Sequence, residues 1–283
     1  MAETLLSPGV LTRENDQTLI TQGPITAGAA VVGPAVKGPI NVPTLVTSYS
    51  DYINRFGGSF SSASINYEYL TSIAANNYFQ QGGETLLVTR VGSGSFTAAD
   101  ATVPAILNVD SASFQLETLS VGAIMNNSGS TSASGSLVQG SSDNVRWEIA
   151  NIDSGSGQFN LLIRRGDDNT NSKVILESWS GLSLDPNSPN YIEQVIGNQR
   201  LNLDTDSDGN KFIQTTGSYV NNSRYVRVKS VDLPTFNYLD NEGSAKSQFT
   251  SSLPSLGSGS LQGAFENAAG NVYGGGANGN TAL

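Results

Sequence analysis

Short apolar runs separated by Pro and Gly open the interpretable part of the chain. Residues 29–33 read AAVVG, and a loop of sequence PAVKGPINVP leads from them to a second apolar stretch at residues 44–47. Apolar runs of this length between turn residues are typical of strands. We predict a buried strand, a loop and a second short strand.

Two helices are predicted next. Ser50 can cap a short helix that ends at Phe56-Gly57-Gly58, and a longer helix spans residues 66–81 before the stop at Gly82-Gly83. A strand is predicted at residues 85–91, which read TLLVTRV. The order strand, helix, helix, strand favours an α/β unit with a crossover long enough to join parallel strands.

The longer helix carries one apolar stripe. Leu70, Ile73, Ala74 and Tyr78 fall at positions i, i+3, i+4 and i+8. Residues at this spacing share one face of a helix. We expect this face to lie on the sheet.

From about residue 105 the pattern changes to strict alternation. Val145, Trp147 and Ile149 alternate with other residues, as do Phe159, Leu161 and Ile163, and residues 173–179 and 225–231 are further strand candidates. The stretches between them are rich in Ser, Asn, Asp and Gly, which favour turns. Residues 105–235 are therefore predicted to be an inserted all-β domain.

The remaining chain divides into three segments. Residues 24–104 form the first part of the α/β domain, and residues 236–283 are a return segment to it, Gly-rich from Leu256 on, with a short helix at 261–269 and an end that suggests an incomplete chain. Residues 1–23 hold too few apolar residues for a core of their own, so we expect an extended arm that docks on another surface. The arm residues with this role are Leu5, Leu6, Pro8, Gly9, Val10 and Leu11.

Composition narrows the possible chemistry. The chain has no Cys and no His, and 14 Lys and Arg stand against 24 Asp and Glu, for a net charge of −10. Thiol and imidazole catalysis and the common zinc ligands are thereby excluded, and the basic footprint of a nucleic-acid binder is missing. We expect no enzyme activity, no cofactor, no nucleic-acid partner and no membrane insertion.

Two weak motifs accompany these expectations. Asp204, Asp206 and Asp208 match the first half of a calcium loop, but Thr215 stands where a bidentate Glu is needed, so an ordinary acidic turn is the preferred interpretation. Arg165-Gly166-Asp167 spells a tripeptide that some adhesive proteins use, although three residues recur by chance.

Several segments, taken in order, resemble contractile tail sheath proteins of phages. They are SPGVLTREND near the start, AAVVGPAVKGPINVPTLVTSYSDYINRFGG, and YFQQGGETLLVTRV. The stretch from FNLLIRRGDDNTNSK to GSYVNNSRYVRV is similar to the inserted domain of sheath proteins in T4-like myoviruses. The resemblance covers residues 4–235, and the family continues into a C-terminal domain beyond the point where this chain stops.

The resemblance implies a fold and a function. The fold would be an α/β sheath domain, present in part, with an inserted all-β domain and an extended N-terminal arm. The function would be that of a virion tail subunit, assembled in the host cytoplasm, that forms hexameric rings stacked into a helical sheath and contracts to drive the tube through the host envelope. Its partners would be further copies of itself, the tail tube protein, and the baseplate and tail terminator proteins.

Two other functions stay open at this point. Trp147, Trp179 and the Asn- and Ser-rich loops would also suit a carbohydrate-binding or adhesive β-module on a virion surface, provided that both tryptophans are exposed together. A carboxylate-based hydrolase would need two carboxylates about 5 to 10 Å apart in a cleft, and no pair is nominated by the sequence.

Overall fold

A computed structural model describes residues 28–62, 65–106, 110–127 and 131–267 of the 283-residue chain. Strands dominate the described residues, and helices are few. The strands are β1 Ala29–Gly33, β2 Thr44–Val46, β3 Ser59–Ser62, β4 Ile65–Glu68, β5 Leu86–Arg90, β6 Ser95–Phe96, β7 Ala98–Pro104, β8 Ala112–Val121, β9 Val145–Asp153, β10 Gln158–Arg165, β11 Ile175–Ser183, β12 Arg200–Thr205, β13 Lys211–Thr216, β14 Val226–Val231, β15 Gly257–Ser260 and β16 Glu266–Asn267.

The helices of the described residues are short. They are α1 Tyr49–Phe56, α2 Leu70–Gln80, α3 Ile192–Ile196 and α4 Ser247–Thr250, with a 3₁₀ turn at Ala123–Met125. Within the described ranges, no helix is long and apolar enough to cross a bilayer.

A small α/β unit is built around the first long crossover. Its sheet has the order β1-β5-β2, with β1 parallel to β5 and β2 antiparallel to it. The predicted parallel pairing and the three predicted strands are confirmed. Helices α1 and α2 cover one face of this sheet, and Tyr52, Phe56 and Ala75 pack there against Leu86 and Val88. We call this the α/β unit.

Residues 29–33 form the predicted strand, but the prediction that this strand is buried is wrong. Burial alternates along β1, so that Val32 is 68 % exposed while Gly33 is buried. The alternation arises because helices cover only one face of the sheet, and successive side chains of a strand point to opposite faces.

The cap of α1 differs by two residues from the prediction. Ser48, rather than Ser50, is the N-cap, and its hydroxyl accepts a hydrogen bond from the backbone N–H of Asp51 at 3.1 Å. The predicted stop is confirmed, since Gly57 ends the helix with a positive φ of 75° and donates its N–H to the carbonyl of Ile53.

The longer helix begins later than predicted and turns its other face to the sheet. Residues 66–68, predicted as the start of the helix, belong to strand β4, which pairs with β3. Within α2 the buried residues are Thr71, Ser72 and Ala75, whereas Leu70 is 80 % exposed. The predicted stripe is therefore wrong for Leu70, Ile73 and Ala74, and the small residues of the opposite face allow α2 to lie close to Gly33 of β1.

Two larger sheets share the second core. One has the order β11-β10-β9-β15 and the other the order β14-β8-β7. Side chains of both meet in a single cluster, in which the rings of Phe114 from β8 and Phe159 from β10 stack at 5.6 Å. Alternation at Val145, Trp147 and Ile149 and at Phe159, Leu161 and Ile163 predicts this core correctly. The range 105–235 also contains the helix α3, so it is not entirely β.

Segments outside 105–235 also contribute to this core. Strand β7, at residues 98–104, pairs with β8, and its Ala99, Ala101 and Val103 belong to the same cluster. Strand β15 pairs with β9, although its sequence GSGS predicts a loop. Gly259 is needed there because a Cβ would lie 2.7 Å from the indole of Trp147. The short helix predicted at 261–269 is wrong for its described part, where residues 266–267 pair with β6.

An ionic network is buried beside the sheet of β9 and β10. Asp168 accepts hydrogen bonds from Nε of Arg164 at 2.7 Å and from Nη1 of Arg146 at 3.4 Å. The second carboxylate, Glu148, accepts from Arg164 at 2.9 Å and pairs with Lys173. Burial, followed by repulsion from Arg164, lowers the pKa of Arg146.

Candidate assembly surfaces

Arg90 joins the α/β unit to the larger core. It ends strand β5 and is fully buried, and its Nη1 donates to the carbonyl of Gly38 at 2.7 Å and to that of Val121 at 2.9 Å. Its guanidinium also lies over the ring of Phe96 at 5.5 Å from the centroid. A buried cation that binds carbonyls from two parts of the fold fixes their relative position. The only sign of this role in the sequence is an Arg at a strand end.

Lys37 makes a second connection. Its Nζ pairs with the carboxylate of Asp143 at 3.3 Å and donates to the carbonyl of the same residue at 3.2 Å. Burial lowers the pKa of Lys37, and the charge of Asp143 opposes that shift. The loop between β1 and β2 is thus attached to the loop before β9.

A cleft of about 640 Å³ lies between the α/β unit and the larger core. Residues 39–45, which run from the loop before β2 into β2 itself, contribute to its lining. Leu201, Asn202 and Leu203 of β12, in the hairpin β12–β13, also line it. Its apolar lining residues are Pro39, Ile40, Val42, Pro43, Leu45, Phe96, Leu119, Val121, Leu201 and Leu203.

The charged residues that line this cleft are all arginines. They are Arg55, Arg224 and Arg227, and no carboxylate belongs to the part of the lining that the described residues form. Two carboxylates lie behind them. Asp51 pairs with Arg55 at 3.0 Å and with Arg224 at 3.5 Å, and Glu117 pairs with Arg227 at 3.1 Å. We call this feature the arginine cleft, and its surface favours an apolar ligand that carries negative charge.

The hairpin that walls the arginine cleft projects from the fold. Nearly every residue of β12 and β13 is exposed. Leu201, Leu203 and Ile213 share one face of the ladder, since Leu203 pairs with Ile213. An isolated two-stranded hairpin is only marginally stable in water, so this apolar face favours a further contact.

The α/β unit has two outward apolar faces. On the sheet, the face away from the helices exposes Val32, Leu45 and Leu87, and Leu45 pairs directly with Leu87 across β2 and β5. On the helix layer, α2 exposes Leu70 and Ile73. We call these the open sheet face and the outer α2 face. Contiguous exposed apolar side chains on both sides of one layer mark contact surfaces.

The calcium candidate Asp204, Asp206 and Asp208 lies at the tip of the hairpin. Asp206 caps its own turn, accepting hydrogen bonds from the backbone of Asp208 at 3.0 Å and from the backbone and side chain of Asn210 at 2.8 and 3.0 Å. The Asn210 side-chain bond is the main cause that lowers the pKa of Asp206. The described residues contain no group of three acidic side chains placed to hold a metal ion. Calcium binding stays a sequence hypothesis.

The remaining candidates from the sequence are the Arg165-Gly166-Asp167 tripeptide, the two tryptophans and the arm residues. In the tripeptide Arg165-Gly166-Asp167 the Arg and Asp side chains pair with each other. Trp147 is only 6 % exposed and belongs to the larger core, and Trp179 is half-buried beside Glu177. The arm residues Leu5, Leu6, Pro8, Gly9, Val10 and Leu11 lie outside the described residues.

Comparisons with known proteins give partial likenesses. No protein-family model matches the chain, and no curated protein matches it. Among solved structures, a sheath tail protein of Listeria innocua aligns with 13 % identity and a TM-score of 0.37, covering 86 % of this chain and 35 % of that one. A sheath tail protein of Desulfitobacterium hafniense aligns with 12 % identity and a TM-score of 0.28, covering 79 % of this chain and 39 % of that one. The chain thus spans well under half the length of both proteins.

Proposed function

We propose that the chain is a structural subunit of a contractile phage tail sheath. The observation that carries the proposal is the α/β unit, whose open sheet face and outer α2 face both expose apolar side chains. The segments that resemble sheath proteins include β1, the following loop, α1 and the passage from α2 to β5, so the resemblance falls on the unit with these faces.

Different faces on opposite sides of one unit suit an open polymer. A heterologous contact joins two unlike patches, and it produces rings or helical filaments rather than a closed dimer. In the proposed assembly, hexameric rings stack around the tail tube between baseplate and tail terminator proteins, and the extended lattice contracts to drive the tube through the host envelope. The subunit acts in the virion tail after assembly in the host cytoplasm.

We also propose that the chain is not an enzyme. Among the residues that the structure describes, none that lines the arginine cleft is a carboxylate. A smaller cleft of about 450 Å³ brings Glu68 and Asp143 into its lining, but both carboxylates have partners: Asp143 pairs with Lys37, and Glu68 accepts from the Ser72 hydroxyl at 2.8 Å. A hydrolase mechanism requires one carboxyl to serve as acid and the other as base or nucleophile.

The adhesive β-module is less well supported. A sugar-stacking platform needs exposed aromatic faces, whereas Trp147 is buried in the larger core. The Arg165-Gly166-Asp167 tripeptide likewise has its two charged side chains engaged with each other.

Electron microscopy of the complete gene product, expressed alone and concentrated, tests the proposal. We expect hollow striated tubes, and Val32→Asp should abolish them because it places a charge on the open sheet face. Val138→Asp is the matched control, since Val138 has the same 68 % exposure as Val32 but lies in a loop outside the α/β unit. Circular dichroism verifies that both variants fold, with Leu87→Asp as a second substitution of the same face, because Leu87 is 40 % exposed there and does not line the arginine cleft.

Two results would overturn the proposal. Dispersed particles that bind a glycan array would favour the adhesive module. Tubes that Val32→Asp and Leu87→Asp leave unchanged would show that the open sheet face is not a contact.

A further inference from the structure

The arginine cleft has the properties of a receptor for an extended peptide. Strand β2 is an edge strand among the strands that the structure describes, and Thr44 and Leu45 of its three residues line the cleft. An edge strand offers unpaired backbone groups to an added strand, and neighbouring pockets then select its alternate side chains. Strand β12 of the hairpin contributes Leu201 and Leu203 to the same lining.

Residues 1–23 match this receptor in apolar character and in charge. They contain the apolar pairs Leu5-Leu6 and Val10-Leu11. Their charged side chains are Glu3, Glu14 and Asp16 against a single Arg13. An acidic segment with apolar pairs is attracted to a cleft that combines an apolar lining with three arginines.

The same chain can reach the cleft without a second copy. Gly28 leads directly into β1, which is separated from β2 by one strand. Strands lie about 4.8 Å apart, so the start of β1 is about 10 Å from β2. Extended chain covers about 3.3 Å per residue, so residues 24–28 span this gap and residues 1–23 remain to occupy the cleft.

Proximity then favours the chain's own segment over that of another copy. A short tether gives an effective concentration of ~mM, so at ~10 μM protein the intramolecular complex is favoured ~100-fold over the intermolecular one. We propose that, in the unassembled subunit, residues 1–23 bind in the arginine cleft of their own chain and add a strand beside β2.

Sheath growth would then require the segment to change partners, a consequence that rests on the proposed function. A segment held in its own subunit cannot link neighbours, so it must be released and exchanged into another copy. Exchange of an identical element between protomers is a low-cost route to assembly, because the segment would make equivalent contacts in the cleft of the neighbouring copy. The arginine cleft would thereby set the concentration at which subunits polymerise.

Disulfide trapping tests the inference, since the chain has no Cys of its own. Three double variants of the full chain combine Leu203→Cys in the cleft with Leu6→Cys, Val10→Cys or Leu11→Cys. At low protein concentration under mild oxidation, at least one should form a disulfide within the monomer, seen by non-reducing electrophoresis and mass spectrometry. The control pairs the same arm substitutions with Val138→Cys, which is exposed and does not line the cleft.

A separate experiment tests whether the arginine charges of the cleft contribute to binding of residues 1–23. Arg224→Glu, added to the double variant that traps best, should slow trapping severalfold, because it replaces an attractive charge in the cleft with a repulsive one. Arg165→Glu is the control, since Arg165 lies outside the arginine cleft.

The outcomes separate this inference from the proposed function. Trapping no faster than in the Val138→Cys controls, or disulfides found only between chains when single-cysteine variants are mixed, would overturn the inference even if tubes form. Intramolecular trapping in a protein that never forms tubes would support the inference and count against the sheath function. Tubes that form only after the trapped variant is reduced would support both.

Discussion

Asp168 illustrates how a single buried residue holds the larger core together. Its carboxylate receives Arg164 and Arg146, and both guanidinium side chains are almost fully buried. It also accepts the backbone N–H of Val174 at 2.9 Å, so it fixes the turn that leads to β11. Removing one partner of a buried pair leaves uncompensated charge, which costs far more than the pair itself contributes.

We therefore expect Asp168→Asn to lower the free energy of unfolding by about 3–5 kcal/mol. The neighbouring Asp167→Asn is the matched control: its pair with Arg165 is about one-third exposed, so its loss should cost less than about 1 kcal/mol. Urea denaturation followed by tryptophan fluorescence measures both. Equal shifts of the midpoint for the two variants would show that Asp168 does not hold the two arginines.

At the scale of elements, α2 shows why an apolar stripe is not always a core. Leu70, Ile73 and Ala74 have helical spacing, yet the helix buries Thr71 and Ala75 instead. The exposed set and the buried set each have the spacing of one helix face. Sequence alone does not distinguish a face that packs within a subunit from a face that packs between subunits. The close approach of β1 settles the choice, because a Cβ on Gly33 would lie 2.4 Å from the hydroxyl of Thr71.

This arrangement predicts opposite effects for the two faces of α2. The double variant Leu70→Ser and Ile73→Ser should change the free energy of unfolding of the subunit by no more than about 0.5 kcal/mol per substitution. Ala75→Leu should cost about 1–3 kcal/mol, because it overfills the space between helix and sheet. Thermal unfolding of the dilute protein provides the comparison. A double variant that melts as low as Ala75→Leu would mean that the outer α2 face is part of the subunit's own core.

Whether a strand can be predicted from the sequence depends on whether one of its faces carries apolar side chains. Strands with alternating apolar residues, such as β9 and β10, are recognisable because one of their faces is in the core. Strand β15 is not, because Gly257 to Ser260 carry no apolar side chain and pair with β9 through the backbone alone. The hairpin β3–β4 escapes prediction for a related reason: Ser59 to Ser62 contain only one apolar residue, Phe60, which stacks on Tyr67 of the paired strand at 5.5 Å.

At the scale of the whole molecule, the arginine cleft could not be predicted from sequence. Its three arginines are contributed by α1, by the loop before β14 and by β14 itself, and its apolar walls come from strands separated by more than 150 residues. No local sequence pattern marks these lining residues, because each is a common residue type for the helix, strand or loop in which it lies. The arm stays a prediction from composition, because residues 1–23 lie outside the described residues, and the surface proposed to receive it becomes identifiable only when the fold brings these segments together.

Deletion of residues 1–20 from the complete protein tests whether the arm links one subunit to the next. Both hydrophobic clusters of the described residues begin at Ala29 or later, so we expect the shortened subunit to stay folded. We expect extended sheaths to be lost, because several backbone bonds of about 1 kcal/mol each would no longer link one subunit to the next. Electron microscopy of sheath length measures the effect, with Thr4→Ser, Thr12→Ser and Thr18→Ser in the intact arm as a control that keeps every apolar residue. Sheaths of normal length after the deletion would show that subunits are joined by the faces of the α/β unit alone.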